Sequence, residues 1–129
     1  MSAVGVETRH HVGAVDDFED REFRIFSLDG RSIGVVRTDR GFFAVLNSCP
    51  HQGAAICRGR VAGTMEPSGP GEYRYSEETL VLTCPWHRWE FDLESGQSYG
   101  QTTRKRLLTF DVDVVDGQVY VTAKRRAGR

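Results

Sequence analysis

The sequence predicts an all-β fold, and three observations predict it. Short runs rich in Phe, Ile and Val are cut at close intervals by turn signals: Asp29-Gly30, Asp39-Arg40-Gly41, Glu94-Ser95-Gly96 and Asp116-Gly117. Near the C-terminus Phe110, Val112 and Val114 alternate with Asp111 and Asp113, the two-residue period of a half-buried strand. No segment holds a helical period for more than a turn or two. A chain of 129 residues is one domain by length, 1–129, and buries a modest core without disulfide staples.

In chain order, Phe23, Ile25 and Leu28 precede the first turn, Ile33, Val35 and Val36 follow it, and Phe42, Phe43, Val45 and Leu46 follow the second. These runs predict a three-strand meander that ends just before Cys49. The acidic cluster Asp16-Asp17-Phe18-Glu19-Asp20 reads as a loop or a single helical turn with a solvated face. Between Arg60 and Gly71 stand Gly63, Pro67, Gly69, Pro70 and Gly71, too many breakers for a helix or a long strand. Tyr73 to Tyr75 and Leu80 to Thr83 are expected to pair as a hairpin that delivers Cys84. Phe110 to Val114 and Val119 to Val121 form a closing hairpin around Asp116-Gly117. The basic segment 124–129 reads as a disordered tail.

Composition excludes several function classes. A formal charge of −1 and a pI near 6.4 exert no overall pull toward nucleic acid or an anionic membrane. No apolar run approaches a membrane span, and the start MSAVGVETRHH lacks a signal-peptide core and a twin-arginine pair, so a cytoplasmic protein is expected. The three cysteines are an odd number, which argues against a disulfide framework. Cys57 falls outside any ligand spacing and reads as a small buried hydrophobe. His10 and His11 are likewise outside ligand spacing and read as surface or strand residues.

The chemistry lies in two stretches, Cys49-Pro50-His51-Gln52-Gly53 and Cys84-Pro85-Trp86-His87. Each offers one thiolate and one imidazole. Two sulfur and two nitrogen donors suit one tetrahedral ion, and they equally suit a two-iron, two-sulfide cluster with both cysteines on one iron and both histidines on the other.

The paired motifs resemble the two cluster-binding loops of the Rieske [2Fe–2S] family, C-x-H-x-G in one loop and C-P-[WY]-H with a following aromatic in the other; here that aromatic is Trp89. The resemblance implies a base domain of antiparallel sheets, 9–47 and 97–123, with an inserted cluster-binding part, 48–96. The interval between the loops is longer than is common in ferredoxins of that family, which marks 60–77 as an insertion. It also implies that Cys49, His51, Cys84 and His87 hold a [2Fe–2S] cluster, and that each histidine keeps one ring nitrogen near the surface. Gly53 would let backbone amides approach the cluster sulfurs, and Trp86, Trp89 and Phe91 would wall the cluster from water. Arg88 departs from the pattern, which commonly places a small residue there, often glycine.

Function follows from the resemblance as an expectation. The chain would be an electron carrier, a ferredoxin or small redox subunit without a catalytic site of its own. It would take one electron from a flavin reductase and pass it to a partner oxygenase or other oxidoreductase. A complete Rieske oxygenase is excluded, since it needs a second iron held by two histidines and a carboxylate, and only the adjacent His10 and His11 are left over. Two rivals stay open: the small subunit of a nitrite-reductase-type complex, and a structural zinc domain. Oligomeric state is not legible. Respiratory Rieske proteins add a loop-to-loop disulfide and two hydroxyls that bond the cluster and its cysteine; the corresponding positions here are Ala54 and Trp86, and Trp89 and Phe91, so all four features are absent. Losing donors to sulfur lowers the potential, toward the lower end of the family's range of about −150 to +300 mV.

Overall fold

A computed structural model of the chain describes residues 5–50, 53–86, 88–99 and 105–126. Ten strands follow in chain order: β1 (Gly5–Ala14), β2 (Phe23–Leu28), β3 (Arg31–Thr38), β4 (Gly41–Leu46), β5 (Arg60–Gly69), β6 (Glu72–Thr83), β7 (Glu90–Asp92), β8 (Ser98–Tyr99), β9 (Thr109–Val115) and β10 (Gln118–Arg126). Among the described residues two single 3-10 turns, Val15–Asp17 and Ile56–Arg58, join these strands. Among the described residues no helix is long and apolar enough to cross a membrane.

The strands form two compact units. The first, Met1–Leu46 with Thr109–Arg129, is an antiparallel sheet in the order β1-β10-β9-β4-β3-β2. The expected meander is β2-β3-β4, turning at Asp29-Gly30 and Asp39-Arg40, and the closing hairpin β9-β10 joins it through Ala44–Phe110 and Val45–Thr109. Its core gathers Val12, Phe18, Leu28, Ile33, Val35, Ala44, Val119, Val121 and Ala123. Alternation along the strands places these side chains on one face, where burying each large aliphatic one is worth about 2 kcal/mol.

Three features of this unit differ from the sequence reading. β1 was not legible as a strand, because Glu7-Thr8-Arg9-His10-His11 shows no apolar period; it is held by a ladder to β10 from Gly5–Arg126 to Ala14–Gln118. That same ladder corrects the disordered tail, since β10 runs on to Arg126; residues 127–129 lie outside the described residues. The acidic cluster does make a single helical turn, yet Phe18 within it is buried and stacks edge-on against Phe42 at 5.3 Å. The four acidic neighbours concealed a core residue.

The second unit, Asn47–Leu108, is a smaller antiparallel sheet in the order β5-β6-β7-β8. Here the reading of 60–83 is corrected: residues taken as breakers form the ten-residue strand β5, and Tyr73–Tyr75 and Leu80–Thr83, expected to pair with each other, lie on one strand, β6. The breakers are accommodated in specific ways. Pro67 sits on an edge strand, where its missing N–H breaks no ladder, next to a bulge between Pro67 and Gly69. A second bulge falls between Ala62 and Thr64, and Gly63 at its centre donates its N–H to Tyr75 Oη at 2.8 Å. A β-carbon on Gly63 would run into the Ser76 carbonyl oxygen, so the glycine is a close-approach residue, not a strand stop.

Gly63→Ala is therefore expected to cost about 2 kcal/mol or more, whereas Gly71→Ala, at a turn with open space around it, should cost only about 1 kcal/mol for its positive φ. Urea unfolding of the two variants measures the difference.

Candidate metal centre

Cys49 and Cys84 each open a tight loop, and the two loops close in the same way. In the first, the Cys49 carbonyl accepts from Gly53 N at 2.7 Å and Cys49 N donates to the Ala54 carbonyl at 2.8 Å. In the second, the Cys84 carbonyl accepts from Arg88 N at 3.1 Å and Cys84 N donates to the Trp89 carbonyl at 2.8 Å. Each loop is thus pinned at residues i, i+4 and i+5, and each has its i+4 residue in a left-handed conformation: Gly53 at φ +74° and Arg88 at φ +57°. Glycine enters that region freely, while a side chain costs about 1 kcal/mol there.

The local sequence explains the shared geometry. A proline follows each cysteine, Pro50 and Pro85, fixing φ at the first loop position where no N–H is needed for closure. β6 runs directly into Cys84, and β4 ends three residues before Cys49. The base of the first loop is tied by Asn47, whose Oδ1 accepts from Cys57 N at 2.9 Å. That bond gives Cys57, a buried small residue as expected, a place in the scaffold that its spacing did not reveal. Phe91 is fully buried behind the second loop, with the half-buried Trp89 tilted against it at 6.4 Å between ring centres. Trp86, at the i+2 position of this loop, is 60% exposed.

Cys49 and Cys84 are 2% and 1% exposed and belong to no disulfide. Two thiols buried at matching positions of loops closed by matching backbone hydrogen bonds fit the sulfur half of an iron–sulfur site. His51, Gln52 and His87 lie outside the described residues. Among the described residues no group of three His, Cys, Asp or Glu side chains could hold a metal ion. His10 and His11 stand in β1, where His10 Nε2 meets Asp29 Oδ2 at 3.4 Å and His11 Nε2 meets Gln118 Oε1 at 2.7 Å. They belong to the first unit's sheet, as strand residues.

The structure also assembles a feature that sequence reasoning missed. Arg58, Arg60 and Arg88 line one cavity of about 510 Å³ with Tyr75, Cys84 and Glu90. Thirty residues of chain separate Arg58 from Arg88, and only the β5-β6-β7 ladder brings them together. The one sequence signal was Arg88 itself, standing where a small residue is usual.

Arg88→Gly should raise stability by up to about 1 kcal/mol by removing left-handed strain, and Gly53→Ala should lower it by about as much. Thermal unfolding of both variants checks the pair, and equal effects of the same sign would contradict the loop equivalence.

Comparison with known proteins agrees with this geometry. The Rieske [2Fe-2S] domain family matches residues 8–111. The chain is 28% identical over 110 residues to the ferredoxin component of the alkene monooxygenase system of Xanthobacter autotrophicus, covering 85% of this chain and 77% of that one. It is 30% identical over 90 residues to the ferredoxin subunit of 3-phenylpropionate/cinnamic acid dioxygenase from Photorhabdus laumondii, covering 70% and 71%. In fold it is similar to a Mycobacterium tuberculosis protein described as an NADH-dependent nitrite reductase small subunit, with a TM-score of 0.73, 22% identity and coverage of 92% and 96%. With a match over most of its length and both cysteine loops formed, this chain belongs to the Rieske [2Fe-2S] domain family.

Proposed function

We propose that this chain, a Rieske electron-transfer protein, relays single electrons from a reductase to a partner oxygenase or other oxidoreductase, and that it does so in the cytoplasm. The observation that carries the reading is the pair of equivalent loops around buried Cys49 and Cys84. In it, Cys49 and Cys84 supply thiolates to one iron, and His51 and His87 supply imidazoles to the other. A cluster held by these four residues would supply a one-electron store, its neutral imidazole ligands favouring the ferrous state.

The chain's own residues do the rest. Backbone hydrogen bonds at Cys49 and Cys84 close each loop and hold its thiol buried. Phe91 and Trp89 exclude water behind the second loop, and Gly53 lets the first loop close. Trp86 is 60% exposed and suited to contact with a partner. Ferredoxin components of oxygenase systems are among the curated relatives, which favours an oxygenase as acceptor. The small-subunit reading for a nitrite-reductase-type complex rests on fold likeness alone.

Purified protein should carry two irons and two acid-labile sulfides, with a Rieske EPR signal after dithionite reduction. One zinc and no sulfide would replace this reading with the structural zinc domain. Cys49→Ala and Cys84→Ala should each lose the cluster and destabilise both loops, because binding and local folding are coupled.

The midpoint potential should lie in the lower part of the family's range of about −150 to +300 mV, because no hydroxyl stands at Trp89 or Phe91 to bond the sulfurs. Protein-film voltammetry at pH 7 measures it, and a value above about +150 mV, in the upper part of that range, would require other donors.

A further inference from the structure

We infer that the arginine-lined groove beside Cys84 docks a carboxylate-rich segment of an electron-transfer partner. The inference rests on the relay function and names the chemistry of the partner. Arg58, Arg60 and Arg88 all line the groove and are all exposed. Among the described residues none of the three is engaged in an ion pair or a side-chain hydrogen bond. Glu90, the one acid in the wall, already accepts from Thr64 Oγ1 at 2.8 Å. The groove is thus cationic in a chain whose net charge is −1, so its charge is local. Guanidinium groups hold carboxylates bidentately, which fixes orientation as well as sign.

Arg88 adds a second line of argument. Its backbone is left-handed, a conformation that glycine in the same position of the other loop adopts without cost. A strained side chain kept at a site is a pointer to use. Further along the arm, Tyr75 carries the groove onto the exposed face of the β5-β6 hairpin, where Met65 lies directly opposite Tyr75 and Tyr73 two residues on is 66% exposed. Arginine, tyrosine and methionine are the residue types enriched in protein interfaces. This apolar continuation favours a protein segment over a small anion, which would need only the guanidiniums. Cys84, although only 1% exposed, belongs to the wall, so a docked segment comes close to a proposed cluster ligand.

Titration of the holoprotein with poly-L-glutamate, followed by calorimetry, tests the groove. Binding is expected at low salt, to weaken steeply as salt rises, and to fall at least about tenfold in the double variant Arg58→Glu/Arg60→Glu. Arg88→Gly, which its backbone accepts without strain, should fall severalfold and serves if the charge reversal disturbs folding. Met65→Ala/Tyr73→Ala should weaken poly-L-glutamate little, while inorganic phosphate at the same charge concentration should not compete. Equal binding by wild type and the charge-reversed variant, or full competition by phosphate, overturns the proposal. EPR of the same samples separates the two readings: peptide binding without a cluster signal removes the relay, and a cluster signal with charge-insensitive binding removes the docking groove.

Discussion

Everything at the candidate centre depends on backbone hydrogen bonds that each cysteine makes to its own loop. A thiolate on a free loop would be solvated and would sample many positions. Here the carbonyl and amide of each cysteine are both committed, to residues four and five further on. That leaves each cysteine's backbone little freedom. Preorganisation of this kind spares the entropy of ordering ligands when metal binds, which for a loop of six residues is several kcal/mol.

The sheet of the second unit serves these loops. β6 ends at Thr83 just before Cys84, β7 begins just past Trp89, and their ladder from Thr83–Glu90 to Val81–Asp92 holds the loop's two ends at strand spacing. Leu80, Val81 and Leu82 are all buried, so this end of β6 is covered on both faces and rigid. Its other end is not: from Glu72 to Tyr75 every residue is exposed, and the hairpin there is a two-stranded arm. One strand therefore couples a fixed ligand loop to an exposed surface, the division of labour that a relay needs.

Legibility followed the physics of each segment. The meander and the closing hairpin were readable because their turns carry Asp-Gly or Asp-Arg-Gly and their strands alternate. β1 was not, since its pairing is dictated by β10 and its own residues are mostly polar. The segment 60–71 misled because glycine and proline have two meanings, one as chain breakers and the other as residues that permit close approach or an edge position. Only the register, with Gly63 against the Ser76 carbonyl, tells which applies. At the centre, residue types and spacing named Cys49 and Cys84, but burial, the loop equivalence and the exposed Trp86 needed coordinates.

The two loops are equivalent in backbone and unlike in side chain, and that contrast carries the final step. Position i+4 is glycine in one and arginine in the other, and i+5 is alanine in one and tryptophan in the other. The first loop is therefore small and neutral beyond its histidine. The second surrounds its cysteine with Trp86 outside, Trp89 and Phe91 inside, and Arg88 on the groove. If the loops served only to hold a cofactor, the backbone would favour glycine at both i+4 positions by about 1 kcal/mol. Placing a cation there instead biases one side of the centre toward negative charge, and an asymmetric approach gives an otherwise symmetric pair of loops a direction.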